Sequence, residues 1–188
     1  MTHAFKSLLN TSVLTLPSAF AADCALLADP HPAPTAAVAV EPAIQQLDVT
    51  SLVETAYIMF HKRDYKRATE LFELSANHPD ATPDHLRYTA SGMHKLGHNK
   101  RAAELFELSA SHPDTTPENL REAAYGMICF EQNDKAAEFC ERSANLLNTT
   151  PNDKQLATAG IRALAIKYEE GSTERARYNA MAAAIDVR

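Results

Sequence analysis

A 17-residue motif occurs twice in this chain, at Arg67–Pro83 and at Arg101–Pro117, and the two copies are identical at 14 of 17 positions. A diverged third copy runs from Lys135 to Pro151, so that each copy begins 34 residues after the previous one. A fixed period of this length is typical of stacked helical repeats. The sequence therefore predicts one extended repetitive domain and argues against a closed pocket built around a reaction.

The start of each period carries the signal of a helix N-terminus. A threonine is followed by a proline at Thr82-Pro83, Thr116-Pro117 and Thr150-Pro151. Threonine accepts an amide hydrogen bond at the N-cap, and proline suits the first helical position. Asp48, also a good N-cap, stands at the equivalent place one period earlier. We therefore expect four first helices, which begin near Asp48, Thr82, Thr116 and Thr150.

Residues of matching size recur at the same height in successive repeats. The first helix carries Leu, Ala and Met at spacings of four and three, which places them on one face, as in Leu86-Ala90-Met93. The second helix carries Ala, Phe or Cys, and Ser at the same spacings, as in Ala102-Phe106-Ser109. Turns between the two helices are expected at Arg63-Asp64, Leu96-Gly97-His98 and Gln132-Asn133-Asp134. Because a residue before proline is pushed out of the α region, the second helices should end at His78-Pro79 and His112-Pro113.

These features resemble the tetratricopeptide repeat (TPR) family, whose unit is a helix–turn–helix of this length. The order of large, small and aromatic residues within Leu86–Pro113 matches that family, although Leu replaces the usual Trp and Met the usual Tyr. The third unit departs further, with Cys140 in place of the aromatic residue and Leu147 in place of the proline. The resemblance covers roughly Asp48–Asp186 and implies an all-α solenoid of about four TPR-like repeats, wound into a right-handed superhelix, within a repeat domain at 48–188.

The fourth unit is longer than the others. A continuous helical pattern runs over Pro151–Glu169, Gly171-Ser172 interrupts it, and Thr173–Ile185 forms the last predicted helix. Small residues recur along this last helix, at Ala176, Ala180 and Ala183. Terminal repeats are often atypical because one of their faces has no neighbour, so this hairpin is interpreted as the cap of the solenoid.

The first 47 residues differ from the repeats. Residues 1–21 contain Lys6, a short apolar stretch and an Ala19-Phe20-Ala21 end, which favours a signal peptide cleaved before Ala22 and hence a periplasmic or secreted protein. The alternative is an N-terminal arm on a cytoplasmic protein. The stretch is too short and too polar to span a bilayer. Residues 22–47 form a Pro/Ala-rich linker, because clustered prolines cannot hold a helix.

Composition and motifs argue against several classes of function. A formal charge of −6 argues against a nucleic-acid partner held through its phosphates. The five glycines form no phosphate-binding loop, and no Ser, Cys or Lys stands in a context that suggests activation, so no catalytic residue and no cofactor is predicted. His94 and His98 are four residues apart, but a turn is expected between them and no further ligand completes a metal set, so no metal site is predicted.

The three cysteines form no disulfide framework or metal-binding pattern. Cys129 and Cys140 lie on consecutive predicted helices, where they could approach each other across a hairpin. The favoured interpretation is that both are buried apolar residues of the core.

The resemblance implies that a partner lies in a concave groove lined by the first helices. The residues there that face away from the Leu-Ala-Met stripe are Tyr57, Phe60, His61, Arg87, Tyr88, His94, Lys95, Arg121, Glu122 and Tyr125. Tyrosine and arginine are enriched at binding hot spots, and these residues predict a mixed aromatic and basic strip. The alternative is that some of them pack against the next helix. The Lys/Asn/Arg set with which some TPR domains hold a carboxylate is not reproduced, since its places hold Val53, Tyr57, Tyr88, Glu118 and Glu122.

The sequence thus favours a non-enzymatic interaction module that binds a protein or peptide segment, without nucleic acid and without a membrane span. An alternative within binding proteins is a cytoplasmic chaperone similar to the TPR chaperones of type III secretion, and a less favoured one is an enzyme or metal-binding protein. The oligomeric state stays open.

Overall fold

The computed structural model describes residues 47–186, and this part of the chain consists of eight α-helices and no strand. The helices are α1 (Val49–His61), α2 (Tyr65–Ala76), α3 (Pro83–Lys95), α4 (Asn99–Ser111), α5 (Pro117–Cys129), α6 (Asn133–Asn145), α7 (Pro151–Ile166) and α8 (Thr173–Asp186). Consecutive helices pair into four hairpins, α1 with α2 through to α7 with α8, and each hairpin packs on the next. The predicted all-α solenoid of about four repeats is confirmed. The predicted signal peptide and most of the linker lie outside the described residues.

The four predicted helix starts are confirmed by their caps. The carboxylate of Asp48 accepts a hydrogen bond from the Ser51 amide at 3.0 Å. Each threonine forms a reciprocal capping box with the residue three positions later, which is a different side chain in each repeat: His85, Asn119 and Asp153. Because the box satisfies two backbone donors that the helix leaves open, the repeated Thr-Pro signal fixes where each first helix begins.

The turns inside the first three hairpins are copies of one another. The backbone is left-handed at Arg63 (φ 63°), Gly97 (φ 81°) and Glu131 (φ 60°), positions that are one period apart. The amide after each of these residues donates to the carbonyl five residues earlier, as in the 2.9 Å bond from the His98 amide to the Met93 carbonyl. This is the Schellman arrangement, which closes a helix C-terminus.

The third turn is shorter than predicted at its end. Asn133 and Asp134 belong to α6 and not to the turn. In each of these hairpins the second helix starts two residues after the residue with the left-handed backbone. In the third hairpin the left-handed residue is Glu131, so the helix already begins at Asn133.

Small residues allow the helices to approach closely, as the matching heights predicted. Ala68, Ala102 and Ala136 are fully buried. Phe72 and Phe106 are buried between neighbouring hairpins, and each ring lies against a glycine of the next first helix, Gly92 and Gly126 respectively. In the third repeat the Sγ of Cys140 takes the same place against Gly160. The buried hydroxyls of Ser109 and Ser143 donate to the Pro83 and Pro117 carbonyls, each at 2.8 Å, which ties the two helices of a hairpin together.

The first helices are closer to one another than the second helices are. Contacts join α1 to α3, α3 to α5 and α5 to α7, whereas among the second helices only α6 and α8 pack to a comparable extent. An array that is tighter on one side curves toward that side. We therefore call the surface formed by α1, α3, α5 and α7 the inner face.

The last hairpin departs from the predicted end of its first helix. Helix α7 ends at Ile166, three residues before the predicted Glu169, because Tyr168 leaves the helix, stacks at 5.5 Å on Tyr178, and accepts at its carbonyl from Arg175. The face of α8 that turns inward is Tyr178, Ala182 and Ile185, whereas the alanine series Ala176, Ala180 and Ala183 is exposed. The buried Tyr178 packs at the end of the array, and the alanine series lies on the opposite side of the helix.

The two cysteines of the described chain do not pair with each other. Cys140 is a buried free thiol, as the core interpretation predicted. Cys129, at the C-terminus of α5, is half-buried and takes part in a disulfide, so the core interpretation is wrong for this residue. Among residues 47–186 there is also no helix that is both long enough and apolar enough to cross a membrane.

Candidate functional site

A cavity of about 970 Å³ runs along the inner face from α1 across α3 to α5, and we call it the groove. Helix α1 contributes Thr50, Val53, Glu54, Tyr57 and Ile58, and α3 contributes Asp84, His85, Arg87, Tyr88, Ser91, His94 and Lys95. The far wall is formed by Glu122, Gly126 and Cys129 of α5 together with Phe106 of α4. The groove therefore spans three successive repeats and is not confined to one hairpin.

Six of the residues predicted from the sequence line this groove: Tyr57, Arg87, Tyr88, His94, Lys95 and Glu122. The other four, Phe60, His61, Arg121 and Tyr125, do not. Phe60 packs against His61 and Tyr65 near the end of α1, with ring centroids 5.6 and 5.8 Å away. Arg121 is held by Asp153 of α7 at 3.3 Å, and Tyr125 is half-buried.

Large apolar surface is exposed at one point of the groove wall. Tyr88 is 46% exposed and Ile58 is 50% exposed, although both belong to helices that pack tightly elsewhere. Ile58 was not predicted, because an isoleucine near a core stripe is normally assigned to the core. The signal that could have found it is its place one residue after Tyr57, off the face that carries Leu52, Ala56 and Met59.

The two tyrosines of the groove have different surroundings. The hydroxyl of Tyr57 donates to the backbone carbonyl of Tyr88 at 2.8 Å, and its ring meets the buried Phe72 edge-on at 5.1 Å. Tyr57 therefore fixes α1 against α3. The guanidinium of Arg87 lies over one face of the Tyr88 ring, 4.1 Å from the ring centroid, and the rest of the ring is exposed. Tyr88 is thus an aromatic surface that is held in position before any partner arrives.

Arg87 and Asp84 connect this surface to the next repeat. Arg87 Nη2 donates to Asp84 Oδ1 at 3.2 Å, and the buried amide of Asn119 donates to the same oxygen at 2.8 Å. Arg87 Nε and His94 Nε2 are buried and have no hydrogen-bond partner within residues 47–186. Buried polar atoms are normally paired. Arg87 Nε can only donate, whereas His94 Nε2 can donate or accept according to its tautomer, so a bound segment could satisfy both atoms after a small rotation of the side chain.

The charge of the groove is mixed and not basic as the sequence suggested. Arg87 and Lys95 stand with three carboxylates, Glu54, Asp84 and Glu122. Burial raises the pKa of Glu122, and the nearby Arg87 and Arg121 oppose this shift only in part. The groove thus offers separate positive and negative groups along an apolar floor. This arrangement suits a segment that carries apolar residues and charges of both signs better than a uniformly acidic one.

The histidines do not form a metal centre in the described part of the chain. His94 Nδ1 shares a hydrogen bond with Asn99 at 2.8 Å, while His98 faces Thr69. In the repeated loops, His78 and His112 each accept at Nδ1 the amide hydrogen of the residue two positions later, at 3.1 Å. The loop histidines therefore stabilise the turns that follow the second helices. No group of three or more potential ligands from His, Cys, Asp and Glu comes together between Leu47 and Asp186.

No family model matches the chain, and no curated protein or solved structure matches it significantly.

Proposed function

We propose that this protein is a non-enzymatic interaction module that binds a protein or peptide segment in the groove of a TPR-like solenoid. The observation that carries the proposal is the open face of Tyr88, held in place by Arg87 and Tyr57 and flanked by the exposed Ile58. Preorganised aromatic residues beside apolar surface are typical of binding hot spots. Concave apolar cavities with a few placed polar groups are the usual form of a binding site.

The size of the groove fits an extended segment. Packed helices lie about 8–10 Å apart, so the distance from α1 to α5 on the inner face is about 20 Å. An extended chain covers about 3.3 Å per residue, so about six residues cross the groove. The proposed partner is therefore a short segment with an aromatic or aliphatic residue opposite Tyr88 and Ile58, and with polar groups opposite Arg87 and Glu122.

The cellular location forms part of the same proposal. A disulfide at Cys129 is expected in an oxidising compartment, because reducing systems keep cytosolic thiols free. This supports a periplasmic or secreted protein over the cytoplasmic alternative. A mass spectrum of the mature protein tests it, since removal of residues 1–21 indicates export and retention of the full chain indicates the alternative.

The binding proposal is tested by crosslinking in the native host. A photoreactive phenylalanine at position 88 should capture the partner, whereas the same residue at position 65, an exposed tyrosine on α2 outside the groove, should not. With the captured partner in hand, Tyr88→Ala should weaken binding by about thirtyfold, which corresponds to about 2 kcal/mol. Tyr65→Ala is the matched control. If Tyr65→Ala weakens binding and Tyr88→Ala does not, the partner uses the other face of the array.

A further inference from the structure

The inner face carries a row of tyrosines that is interrupted at one position. Tyr57 of α1 and Tyr125 of α5 occupy equivalent places in the first and third repeats, and Ser91 of α3 stands between them in the second. In the first repeat the Tyr57 ring meets the edge of Phe72, with the ring centroids 5.1 Å apart. Because a serine carries no ring, this row provides no equivalent cover for Phe106, the phenylalanine of the second repeat.

The third repeat has its tyrosine in place. Tyr125 is half-buried, and Cys140 stands there where the earlier repeats have phenylalanine. Burial raises the pKa of Tyr125, and the neighbouring thiol of Cys140 adds to this rise. Tyr125 therefore lies beside Cys140, as Tyr57 lies beside Phe72. Among the first three repeats, the interruption belongs to the second alone.

The space beside Ser91 is part of the groove. Ser91, Phe106 and Gly126 line the groove, whereas Phe72, which Tyr57 covers, does not. Between α3 and α5 the groove thus reaches as far as the buried ring of Phe106. We call this part of the groove, bounded by Ser91, His94, Phe106 and Gly126, the slot.

The slot contains a buried polar atom that has no partner. The Nδ1 of His94 shares a 2.8 Å hydrogen bond with the side-chain oxygen of Asn99, and a carboxamide oxygen can only accept, so Nδ1 carries the hydrogen. In the neutral ring Nε2 is then an acceptor. This atom is buried and unpaired within the described part of the chain. A ligand that enters the slot would therefore have to donate a hydrogen bond to it.

The remainder of the slot is aromatic. The His94 ring meets Phe130 edge-on at 5.1 Å, and the Phe130 ring lies 6.3 Å from that of Phe106. Aromatic rings stabilise one another in edge-on and tilted arrangements of this kind, beyond the contribution of buried area. The slot therefore favours a further ring.

A charged side chain suits the slot poorly. Arg87 and Glu122 stand one turn before Ser91 and Gly126. Burial raises the pKa of Glu122, and the nearby charge of Arg87 opposes this shift, so the two groups lie close to each other. A ligand charge of either sign would meet a like charge. The slot thus complements a neutral ring with a hydrogen-bond donor at its edge, which tyrosine and tryptophan have and phenylalanine and leucine lack.

We propose that the slot binds a tyrosine or tryptophan side chain of the partner segment, with its ring against Phe106 and its O–H or N–H donating to His94 Nε2. The ligand ring then supplies to the second repeat what Tyr57 supplies to the first. This inference rests on the proposed function and specifies a residue that the bound segment carries. The exposed ring of Tyr88, on the preceding turn of α3, contacts the neighbouring residue of the same segment.

The preference for a donor-bearing ring is tested on the full chain with four libraries of six-residue peptides. Each library has random flanks and one fixed residue at its third position: tyrosine, tryptophan, phenylalanine or leucine. The immobilised protein should retain the tyrosine or the tryptophan library several-fold more than the other two. Equal or stronger retention of the phenylalanine or leucine library overturns the proposal.

The hydrogen bond is tested with the strongest retained peptide and a copy in which phenylalanine replaces the fixed residue. The copy should bind the wild type about tenfold more weakly, because it leaves a buried acceptor unpaired. His94→Phe keeps a ring beside Phe130 but has no acceptor, so the two peptides should bind this variant equally. A tenfold difference that persists in His94→Phe overturns the assignment of the acceptor.

The space is tested by Ser91→Tyr, which completes the row of tyrosines and fills the slot. Peptide affinity should fall at least tenfold. Ser111→Tyr adds the same group at an exposed serine of α4 outside the groove and should leave affinity unchanged. Circular dichroism verifies that both variants fold. Full affinity in a folded Ser91→Tyr overturns the proposal, and if this variant does not fold, the two peptide experiments decide.

Failure of the slot can be distinguished from failure of the proposed function. Peptides that bind the wild type but not Tyr88→Ala, and that show no preference for tyrosine or tryptophan, refute the slot and leave the binding function standing. If the wild type retains no library more strongly than Tyr88→Ala does, the proposed function is refuted and the slot with it.

Discussion

The ring of Phe72 lies so close to Gly92 that a Cβ built on this glycine would be 2.1 Å from the Cζ of the ring. Phe106 and Gly126 repeat the contact one period later, at 2.5 Å. The second helix of one hairpin thus inserts an aromatic ring where the first helix of the next hairpin has no side chain. This pairing sets the spacing between hairpins and, through it, the width of the groove on the inner face.

Gly92→Ala should destabilise the protein, because the added methyl group overlaps a fully buried ring that has no room to move. Overpacking of this kind costs about 1–3 kcal/mol. Chemical denaturation followed by circular dichroism measures the change in the free energy of unfolding. Combining Gly92→Ala with Phe72→Leu should recover part of the loss, since the smaller side chain makes space. A purely additive double variant would show that the contact does not set the spacing.

The left-handed turn residues give a second prediction. Gly97→Ala should cost about 1 kcal/mol, because a residue with a Cβ is strained in this conformation even though no atom lies within 4 Å of the new methyl group. Glu131→Gly, at the equivalent position of the next repeat, should instead stabilise the protein by about 0.5 kcal/mol, after the entropy cost of glycine is subtracted. Both effects are read from denaturation midpoints. Changes of the same sign in the two variants would contradict the shared geometry of the turns.

The burial of the Glu122 carboxyl should make the stability of the protein depend on pH. Burial raises the pKa of this carboxyl above its usual 4.5, so its contribution to folding is fully present below that value and is lost as the pH rises through the folded pKa. The Glu122→Gln variant cannot ionise. Its melting temperature relative to the wild type should therefore be higher at pH 7 than at pH 4. A difference of the opposite sign would mean that Arg87 and Arg121 outweigh burial.

Cys140 should be unreactive in the folded protein. Burial raises the pKa of its thiol to about 12, so almost no thiolate is present near neutral pH, and the sulfur faces Gly160 rather than solvent. Alkylation at pH 8 followed by peptide mass spectrometry should leave Cys140 unmodified, whereas prior unfolding in denaturant should make it fully reactive. Rapid alkylation of the native protein would show that the third and fourth hairpins separate readily.

Much of this architecture could be predicted from the sequence because each signal is local. A Thr-Pro pair determines its own cap, and a histidine before proline ends its own helix, so these features need no knowledge of the neighbouring repeat. The 34-residue period then repeats them. Gly92, Gly126 and Gly160 follow the same period, but a glycine within a helix normally indicates a weaker helix and not a contact with a neighbouring ring.

The composition of the groove was harder to predict, because it depends on contacts between repeats. Arg121 is an arginine at the position equivalent to Arg87 in the next repeat, but it forms an ion pair with Asp153 of the last hairpin. No pattern inside one repeat indicates this pair. The buried face of α8 could not be predicted from the sequence for a related reason. Its position is decided by Tyr178, whose hydroxyl donates to Asp134 at 2.8 Å, and not by its own alanine series.

The hydroxyl of Tyr57 provides a final prediction, which separates positioning of the groove from contact with a partner. It donates to the Tyr88 carbonyl across the junction of α1 and α3, at 2.8 Å. Tyr57→Phe removes this bond but keeps the ring that packs on Phe72, so the free energy of unfolding should fall by about 1 kcal/mol. Partner affinity should change far less for Tyr57→Phe than for Tyr88→Ala, because the removed hydroxyl points into the array and not toward the open face. If Tyr57→Phe weakens binding as strongly as Tyr88→Ala while stability is unchanged, the hydroxyl contacts the partner directly and α1 is held by other means.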